Sequence, residues 1–416
     1  MYKIRFLEKK LIDSIKKPYI TILLGARQTG KTSLLKQIKN TLSDYKSLFI
    51  DLDIFENKQI FSSYNEVLRY LKFNGLEDNK KFILFLDEFH TVSGINKILK
   101  NLYDNNSNIK IFATGSSSLD IIKKIKESLA GRKSIFHLYP LSFREFLHFK
   151  DEDLENKLIN INYKNIPENI QKILINYVKD FCIFGGYPEV VLSGSKSDKI
   201  EILRNIFDLF IKKDLIENLR IKNPFSALNI LKFLAINTGQ LINYNQICAT
   251  NHIDISTLKH YLYLLSETFT IQIIPPFYSN KNKEIIKMPK IYFHDPGARN
   301  YFLNNFSGFD FRTDNSFLVE NFVCAEFLKN KEVLSNIKYW RDKNGREIDF
   351  ILEKENKISA YEIKYKKIVN KKDLSNLLYF KKMYPKAKIH LVNVNKNNDL
   401  PVQISQCMYF EIMTKL

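Results

Sequence analysis

The feature that most constrains this chain is a glycine-bounded loop between an apolar run and a helix-forming segment. Residues 18–24 read Pro-Tyr-Ile-Thr-Ile-Leu-Leu, which is typical of a strand buried in a parallel sheet. Residues 25–32 match the Walker A pattern GxxxxGK[ST], and a helix is predicted directly after them. Because strand, loop and helix occur in the order that this pattern needs, we predict an α/β, P-loop NTPase fold.

The residue types in the loop suit a triphosphate. Gly25 and Gly30 allow successive backbone N–H groups to converge on a phosphate, and the following helix adds the positive end of its dipole. Lys31 would bridge the β- and γ-phosphates, and the Thr32 hydroxyl would coordinate Mg²⁺. The predicted cofactors are therefore ATP and Mg²⁺. The other predicted nucleotide-binding residues are Ala26, Arg27, Gln28, Thr29 and Ser33.

A second strand-like run supplies two acids. Residues 82–86 read Phe-Ile-Leu-Phe-Leu and are followed by Asp87 and Glu88. Asp87 would hold the magnesium ion, and Glu88 would act as general base or orient the water that attacks the γ-phosphate. Two solvated acids capping a strand are the alternative, but an intact phosphate loop favours the catalytic interpretation.

Two further candidates rest on weaker patterns. A third predicted strand, residues 109–114, leads into a Gly-Ser-Ser-Ser stretch, where Ser116 or Ser117 would sense the γ-phosphate or merely cap the next helix. Arg132 fits an arginine that stabilises the transition state, in cis or from a neighbouring subunit, and equally fits a structural ion pair.

Several segments together resemble one family. The phosphate loop, Leu-Asp-Glu-Phe at 86–89, Thr-Gly-Ser-Ser at 114–117, Leu-Ala-Gly-Arg at 129–132 and Pro-Leu-Ser-Phe at 140–143 are similar to AAA-type ATPases of bacteria and archaea with a characteristic C-terminal domain of unknown function. Phe-Gly-Gly-Tyr-Pro-Glu at 184–189 resembles the entry to that second half. The resemblance covers nearly the whole chain and implies ATP binding.

Four units are predicted along the chain. They are an AAA-type ATPase core with a three-layer parallel sheet (1–150), a helical lid or connector (151–222), a winged-helix-like unit (223–303) and an α/β domain similar to the restriction-endonuclease fold (304–416). A chain of 416 residues is too long for a single core, which is consistent with such a division.

The winged-helix prediction rests on three helix-like segments followed by two β-prone segments around a basic hairpin tip. The fold is used both for DNA contact and for protein docking, so both interpretations stay open. The side chains that would contact DNA phosphates are Lys259, His260, Lys281 and Lys283.

The last unit carries an acid-x-lysine pattern that resembles the restriction-endonuclease-like fold. Glu362 and Lys364 share one face of a predicted strand, and Asp349 on the adjoining strand can meet them. Asp349, Glu362 and Glu320 would bind Mg²⁺, and Lys364 would activate water beside a phosphodiester. The alternative is a fold of this type that does not cleave.

Charge and composition add little about partners. The 64 Lys+Arg against 45 Asp+Glu leave a net charge of +19, which attracts polyanions such as DNA, although a Lys- and Asn-rich composition bias explains it equally well. The four cysteines are far apart, and neither a secretion signal nor a run of some 18 apolar residues is found, so we expect a cytoplasmic protein without membrane contact. The sequence does not set the oligomeric state.

The leading interpretation is an ATPase whose hydrolysis moves C-terminal modules that engage nucleic acid or a partner protein. One alternative is an ATP-regulated, magnesium-dependent DNA nuclease. The other is a nucleotide-switched scaffold with very slow turnover.

Overall fold

The computed structural model describes residues 3–115, 129–161, 165–218, 221, 223–278, 284, 287–331, 335–355, 357–396 and 400–414. The chain forms two compact units. The first comprises Met1–Tyr139, Lys212–Arg220 and Glu267–Phe269, and the second comprises Pro140–Ile211, Ile221–Ser266 and Thr270–Leu416. Residues 140–150, which the sequence assigns to the ATPase core, lie in the second unit.

The first unit is built on a parallel five-stranded sheet in the order β2-β3-β4-β1-β5. Its strands are β1 (Ile20–Leu24), β2 (Lys46–Asp51), β3 (Phe82–Asp87), β4 (Ile109–Gly115) and β5 (Lys133–His137). Its helices are α1 (Leu7–Asp13), α2 (Lys31–Thr41), α3 (Phe55–Ile60), α4 (Tyr64–Phe73) and α5 (Ile95–Asn105). This arrangement confirms the α/β P-loop NTPase fold and the three strands expected from the sequence.

The unbroken apolar runs have a direct physical cause. Along β3, Leu84 and Leu86 belong to one buried cluster, whereas Ile83 and Phe85 belong to another. Side chains alternate between the faces of a strand, so a strand covered on both faces needs apolar residues at every position.

The strand register places the loop and the acids at one edge. Leu24 of β1 pairs with Gly115 of β4, and Leu86 of β3 pairs with Ala113 of the same strand. The phosphate loop begins after the carboxyl end of β1, and Asp87 is the last residue of β3. Strand β4 lies between these two strands. At about 4.8 Å per strand, they are separated by roughly 10 Å, which a metal-bound triphosphate can span.

The second unit begins with helices and a short hairpin. Its helices are α6 (Phe143–Lys150), α7 (Glu152–Asn160), α8 (Glu168–Phe184), α9 (Pro188–Leu192), α10 (Lys196–Leu209), α11 (Pro224–Ile236), α12 (Tyr244–Asn251) and α13 (Ile255–Glu267). A π-helical segment, Phe210–Asn218, follows α10. Strands β6 (Ile271–Ile274) and β7 (Lys290–Phe293) pair antiparallel, and Leu241 forms an antiparallel bridge with Lys290.

A mixed five-stranded sheet follows, in the order β12-β11-β10-β9-β8. Strand β9 pairs antiparallel with both β8 and β10, whereas β11 pairs parallel with both β10 and β12. The elements are α14 (Pro296–Leu303), α15 (Asn315–Lys329), β8 (Ser335–Arg341), β9 (Glu347–Lys354), β10 (Lys357–Ile363), α16 (Ser375–Met383), β11 (Lys388–Asn393) and β12 (Ile404–Met408). No helix in the described part of the chain is both long and apolar enough to span a bilayer.

The paired glycines after α8 mark a close backbone crossing. Gly185 ends the helix with φ 76°, and a Cβ at this position would lie 1.8 Å from Asp295 Oδ1. The Gly186 N–H donates to Asp295 Oδ2 at 2.7 Å, and the carbonyl of Gly186 accepts from Leu141 N at 2.7 Å. Only glycine fits here, because any side chain would collide with a buried carboxylate.

Replacing Gly185 with alanine is therefore expected to destabilise the second unit by about 3 kcal/mol, through the collision and the strained positive φ. Thermal unfolding followed by circular dichroism measures the effect. Gly194→Ala is the matched control, since a Cβ there meets nothing within 4 Å. Equal midpoints for the two variants would contradict the assigned crossing.

Candidate phosphate-binding site

The loop between β1 and α2 is held in shape by contacts from outside it. Gly30 precedes α2 with φ 93°, a conformation that glycine adopts without strain. The Thr29 hydroxyl donates to Ala26 O at 2.9 Å, while Arg5 donates to Thr29 O at 2.8 Å and to Tyr139 O at 2.9 Å. The loop is therefore braced by a buried arginine that the motif does not contain.

Lys31 lies inside the loop with its ammonium on the loop carbonyls. Its Nζ donates to Gly25 O at 3.1 Å and to Ala26 O at 2.9 Å. Burial lowers the pKa of Lys31, and the opposing charge of Glu88 raises it. Thr32 is half-buried in the first turn of α2, and Ser33 beside it is exposed. The lysine is thus placed where a phosphate chain would meet the loop.

The two predicted acids share one hydroxyl partner. Thr114, at the end of β4, donates to the carboxylate of Asp87, and its oxygen accepts from the Glu88 N–H at 3.1 Å. Glu88 has φ 50°, in the left-handed region, where the chain turns off the strand. Thr114 therefore fixes both the metal-binding candidate and the backbone of the candidate base. The site prediction from the sequence did not include it.

The environment of Glu88 suits a proton acceptor. Burial raises the pKa of Glu88, whereas Lys31 lowers it, and Asp87 and Asp53 raise it further. Nδ1 of His90 lies 3.2 Å from Glu88 Oε2, and burial followed by Arg27 lowers the pKa of His90 to about 4. The imidazole is therefore neutral at physiological pH and adds no charge beside Glu88.

A distant segment also reaches the loop. Arg27 Nε lies 3.0 Å from Asp214 Oδ2, an ion pair between the phosphate loop and the π-helical segment Phe210–Asn218. Asp214 also raises the pKa of Lys31. No local pattern around Asp214 signals this role, because 187 positions separate the two residues in sequence.

Arg132 is not brought to this edge, so its position does not favour the role in cis, which stays a prediction. It precedes β5, and its carbonyl accepts from Ile20 N at 2.8 Å, at the amino ends of the strands. Its guanidinium pairs with Asp104 at 2.7 Å and 3.1 Å. This contact is an ion pair of the kind that the sequence analysis gave as the alternative. A role toward a neighbouring subunit stays a prediction. Ser116 and Ser117 lie outside the described residues.

A separate buried charge cluster contains the nuclease-like candidates. Glu320 accepts from Lys290 at 3.3 Å and from the Tyr292 hydroxyl. Glu362 accepts from Lys364, and Asp349 Oδ2 accepts from Ile363 N at 2.7 Å. All four predicted residues, Glu320, Asp349, Glu362 and Lys364, are therefore engaged by contacts in this unit.

The charges in this cluster influence one another. The pKa of Glu320 is raised to about 7 and that of Glu362 to about 8. Burial is the largest cause, Asp349 contributes in the same direction, and Lys290 and Lys364 oppose the increase. Lys290 also contacts Glu347 at 2.6 Å. Among the described residues, no group of three or more His, Cys, Asp and Glu side chains is arranged to hold one metal ion.

The basic side chains predicted to meet DNA are only partly described. Lys259 and His260 are exposed on α13. Lys281 and Lys283 lie outside the described residues.

Comparison with known proteins places the chain in a family. Residues 17–147 match the AAA domain family, and residues 175–308 and 315–412 match domains of unknown function, DUF8612 and DUF4143. The uncharacterized protein MJ1544 of Methanocaldococcus jannaschii is 31% identical over 360 residues, covering 85% of this chain and 75% of the relative. The chain belongs to the MJ1544 family.

Another relative and one solved structure are also similar to this chain. An uncharacterized protein of Haemophilus influenzae is 27% identical over 396 residues, or 92% of this chain and 91% of the relative. The Walker-type ATPase PABY2304 of Pyrococcus abyssi is 20% identical, covers 72% of this chain and 96% of its own, and has a TM-score of 0.46. The AAA domain match and the parallel sheet confirm a P-loop ATPase followed by domains of unknown function.

Removing the shared hydroxyl tests the geometry of the two acids. We expect Thr114→Val to slow the hydrolysis of magnesium-bound ATP about tenfold or more, since hydrogen bonds to charged groups contribute roughly 1.5–3 kcal/mol. Steady-state phosphate release is the measurement. Thr41→Val serves as control, because its hydroxyl donates to Gln37 O on the exposed side of α2. Wild-type rates in Thr114→Val would show that the hydroxyl does not position the acids.

Proposed function

We propose that the first unit binds ATP with Mg²⁺ and hydrolyses it, and that hydrolysis rearranges C-terminal modules that contact nucleic acid or a partner protein. The observation that carries the proposal is the convergence of the phosphate loop, Asp87 and Glu88 at one sheet edge, with Thr114 holding both acids. Each group has a separate task there.

The binding step uses backbone N–H groups and the start of α2 to neutralise phosphate charge. Lys31 would exchange its carbonyl partners in the loop for the β- and γ-phosphate oxygens, which hold the same ammonium more strongly. Asp87 and Thr32 would hold Mg²⁺, which supplies positive charge to the phosphates. These oxygen donors fit a magnesium ion that keeps several waters.

The chemical step needs a proton acceptor for the attacking water. Glu88 fits this task because its raised pKa brings it closer to the operating pH while Lys31 keeps it ionised. The neutral His90, with Nδ1 at 3.2 Å from Glu88 Oε2, adds no positive charge that would lower the pKa of Glu88.

Coupling to the rest of the chain is supported by the Arg27–Asp214 ion pair. Phosphate oxygens in the loop would compete with the Asp214 carboxylate for Arg27, and would also repel that carboxylate. The segment that carries Asp214 is continuous with α10 on one side and leads to α11 on the other. Nucleotide binding would therefore act on the connection between these two helices.

The order of helices and strands supports the folds that we propose for the C-terminal modules. Three helices, the bridge at Leu241 and the β6–β7 hairpin support a winged-helix unit. Helix α15, strands β8 to β10, α16 and β11 support the restriction-endonuclease-like fold. Both folds are common in proteins that engage nucleic acids or other proteins.

Two substitutions test the ATP site. We expect Lys31→Ala to abolish nucleotide binding, because the loop loses the ammonium group that would contact the β- and γ-phosphates, and Glu88→Gln to retain ATP while slowing hydrolysis at least 100-fold. Calorimetry gives affinity, and single-turnover assays give the chemical rate. Lys36→Ala, an exposed lysine on the same helix, should behave as wild type.

Normal hydrolysis in both Lys31→Ala and Glu88→Gln would exclude the assigned site. Wild-type turnover, measured alone and with single- or double-stranded DNA, separates the remaining interpretations. Stimulation by DNA indicates a nucleic-acid partner, and its absence favours a protein partner. A turnover far slower than nucleotide exchange indicates a switch without significant catalysis.

Magnesium-dependent DNA cleavage by the second unit is the other candidate, favoured by the proximity of Glu320, Asp349 and Glu362. The side chains present do not suit a divalent ion, because Lys290 and Lys364 already pair with two of these carboxylates, Glu320 and Glu362. Within this set of three acids, the buried oxygen without a hydrogen-bond partner is Glu362 Oε2. No cleavage step through a metal is therefore assigned.

We expect purified protein to leave supercoiled plasmid intact with Mg²⁺ and ATP, because Lys290 and Lys364 already pair with Glu320 and Glu362. Agarose electrophoresis over several hours is the measurement, with Asp349→Ala as the matched variant. Nicking by the wild type that disappears in Asp349→Ala would establish the nuclease and reject the charge-balanced interpretation.

A further inference from the structure

The second unit contains a groove between α13 and the β6–β7 hairpin. Its volume is about 700 Å³, in the range of sites that take small ligands or a few peptide side chains. One wall is a single face of α13, where lining residues recur at helical spacing, and the opposite wall comes from the start of α12 and from the hairpin. The α13 residues are Ile255, Lys259, Leu262, Tyr263 and Ser266.

The groove exposes large apolar side chains. Ile255 is 44% exposed, and Tyr263 and Met288 are each 48% exposed. Leu262 and Ile242 are buried and complete the apolar lining. A partner that covers these side chains gains the free energy of removing them from water. Aromatic and methionine side chains are also over-represented where proteins bind one another.

The charged side chains that line the groove are lysines. Lys259 and Lys287 line it and are exposed, and none of the described residues that line it is Asp or Glu. The two lysines would therefore attract the carboxylates of a bound segment to the rim, and the apolar side chains of that segment would be buried at the centre of the groove. Duplex DNA fits less well, since its phosphates would face Ile255 and Tyr263 rather than basic side chains.

We propose that this groove binds an acidic, amphipathic peptide segment of a partner protein. The apolar side chains of that segment lie against Ile255, Tyr263 and Met288, and its carboxylates pair with Lys259 and Lys287. This inference rests on the part of the proposed function in which the C-terminal modules contact a partner protein, and it specifies the chemistry of that partner. It does not depend on the ATP site.

The test is a selection of phage-displayed random 12-residue peptides on the immobilised full-length protein. We expect convergence on sequences with at least two large apolar residues and a net negative charge. A fluorescein-labelled copy of the selected peptide then gives dissociation constants by anisotropy. Lys259→Glu and Tyr263→Ser should each weaken its binding about tenfold or more.

Lys232→Glu is the matched control, because Lys232 is an exposed lysine on α11 outside the groove, and it should leave peptide affinity unchanged. Repeating the titration with Lys31→Ala separates the two proposals, since loss of ATP binding should not affect the peptide. Failure of the selection to converge, or equal affinity in wild type and Lys259→Glu, overturns the proposal. A 20-base-pair duplex that displaces the peptide and is itself weakened by Lys259→Glu assigns the groove to DNA instead.

Discussion

The parallel pairing of β4 with both β1 and β3 is the constraint on which the ATP site depends. It brings the end of the loop-bearing strand and the end of the acid-bearing strand to the same edge. Thr114 occupies the strand between them and bonds to both acids. Without this central strand the loop and the acids would be two unrelated local patterns.

Local patterns predict the loop and the acids well, because each function there needs particular residue types at fixed spacing. They do not predict the partners that complete the site. Arg5, Thr114 and Asp214 reach it from an entry segment, an intervening strand and a segment far along the chain. The position of Arg132 has a related explanation, because the pattern around it does not show at which end of its strand it lies.

The second unit shows the same division between local and distant information. Alternation and helical spacing predict β9, β10 and the helices of residues 223–267. The charge balance of the carboxylate cluster depends on Lys290, which no acid-x-lysine pattern includes, because it lies on a hairpin strand about 30 residues before Glu320 and 70 before Glu362. Glu320 is thus paired with a lysine from outside the motif.

The chain enters the first unit three times, at Met1–Tyr139, Lys212–Arg220 and Glu267–Phe269. The second of these segments supplies Asp214, which pairs with Arg27. The third supplies Phe269, whose ring lies 5.2 Å from that of His137. No single cut in the polypeptide can release the first unit whole. A cut after Tyr139 would leave every segment of the second unit in one fragment, but it would separate Asp214 and Phe269 from the rest of the first unit.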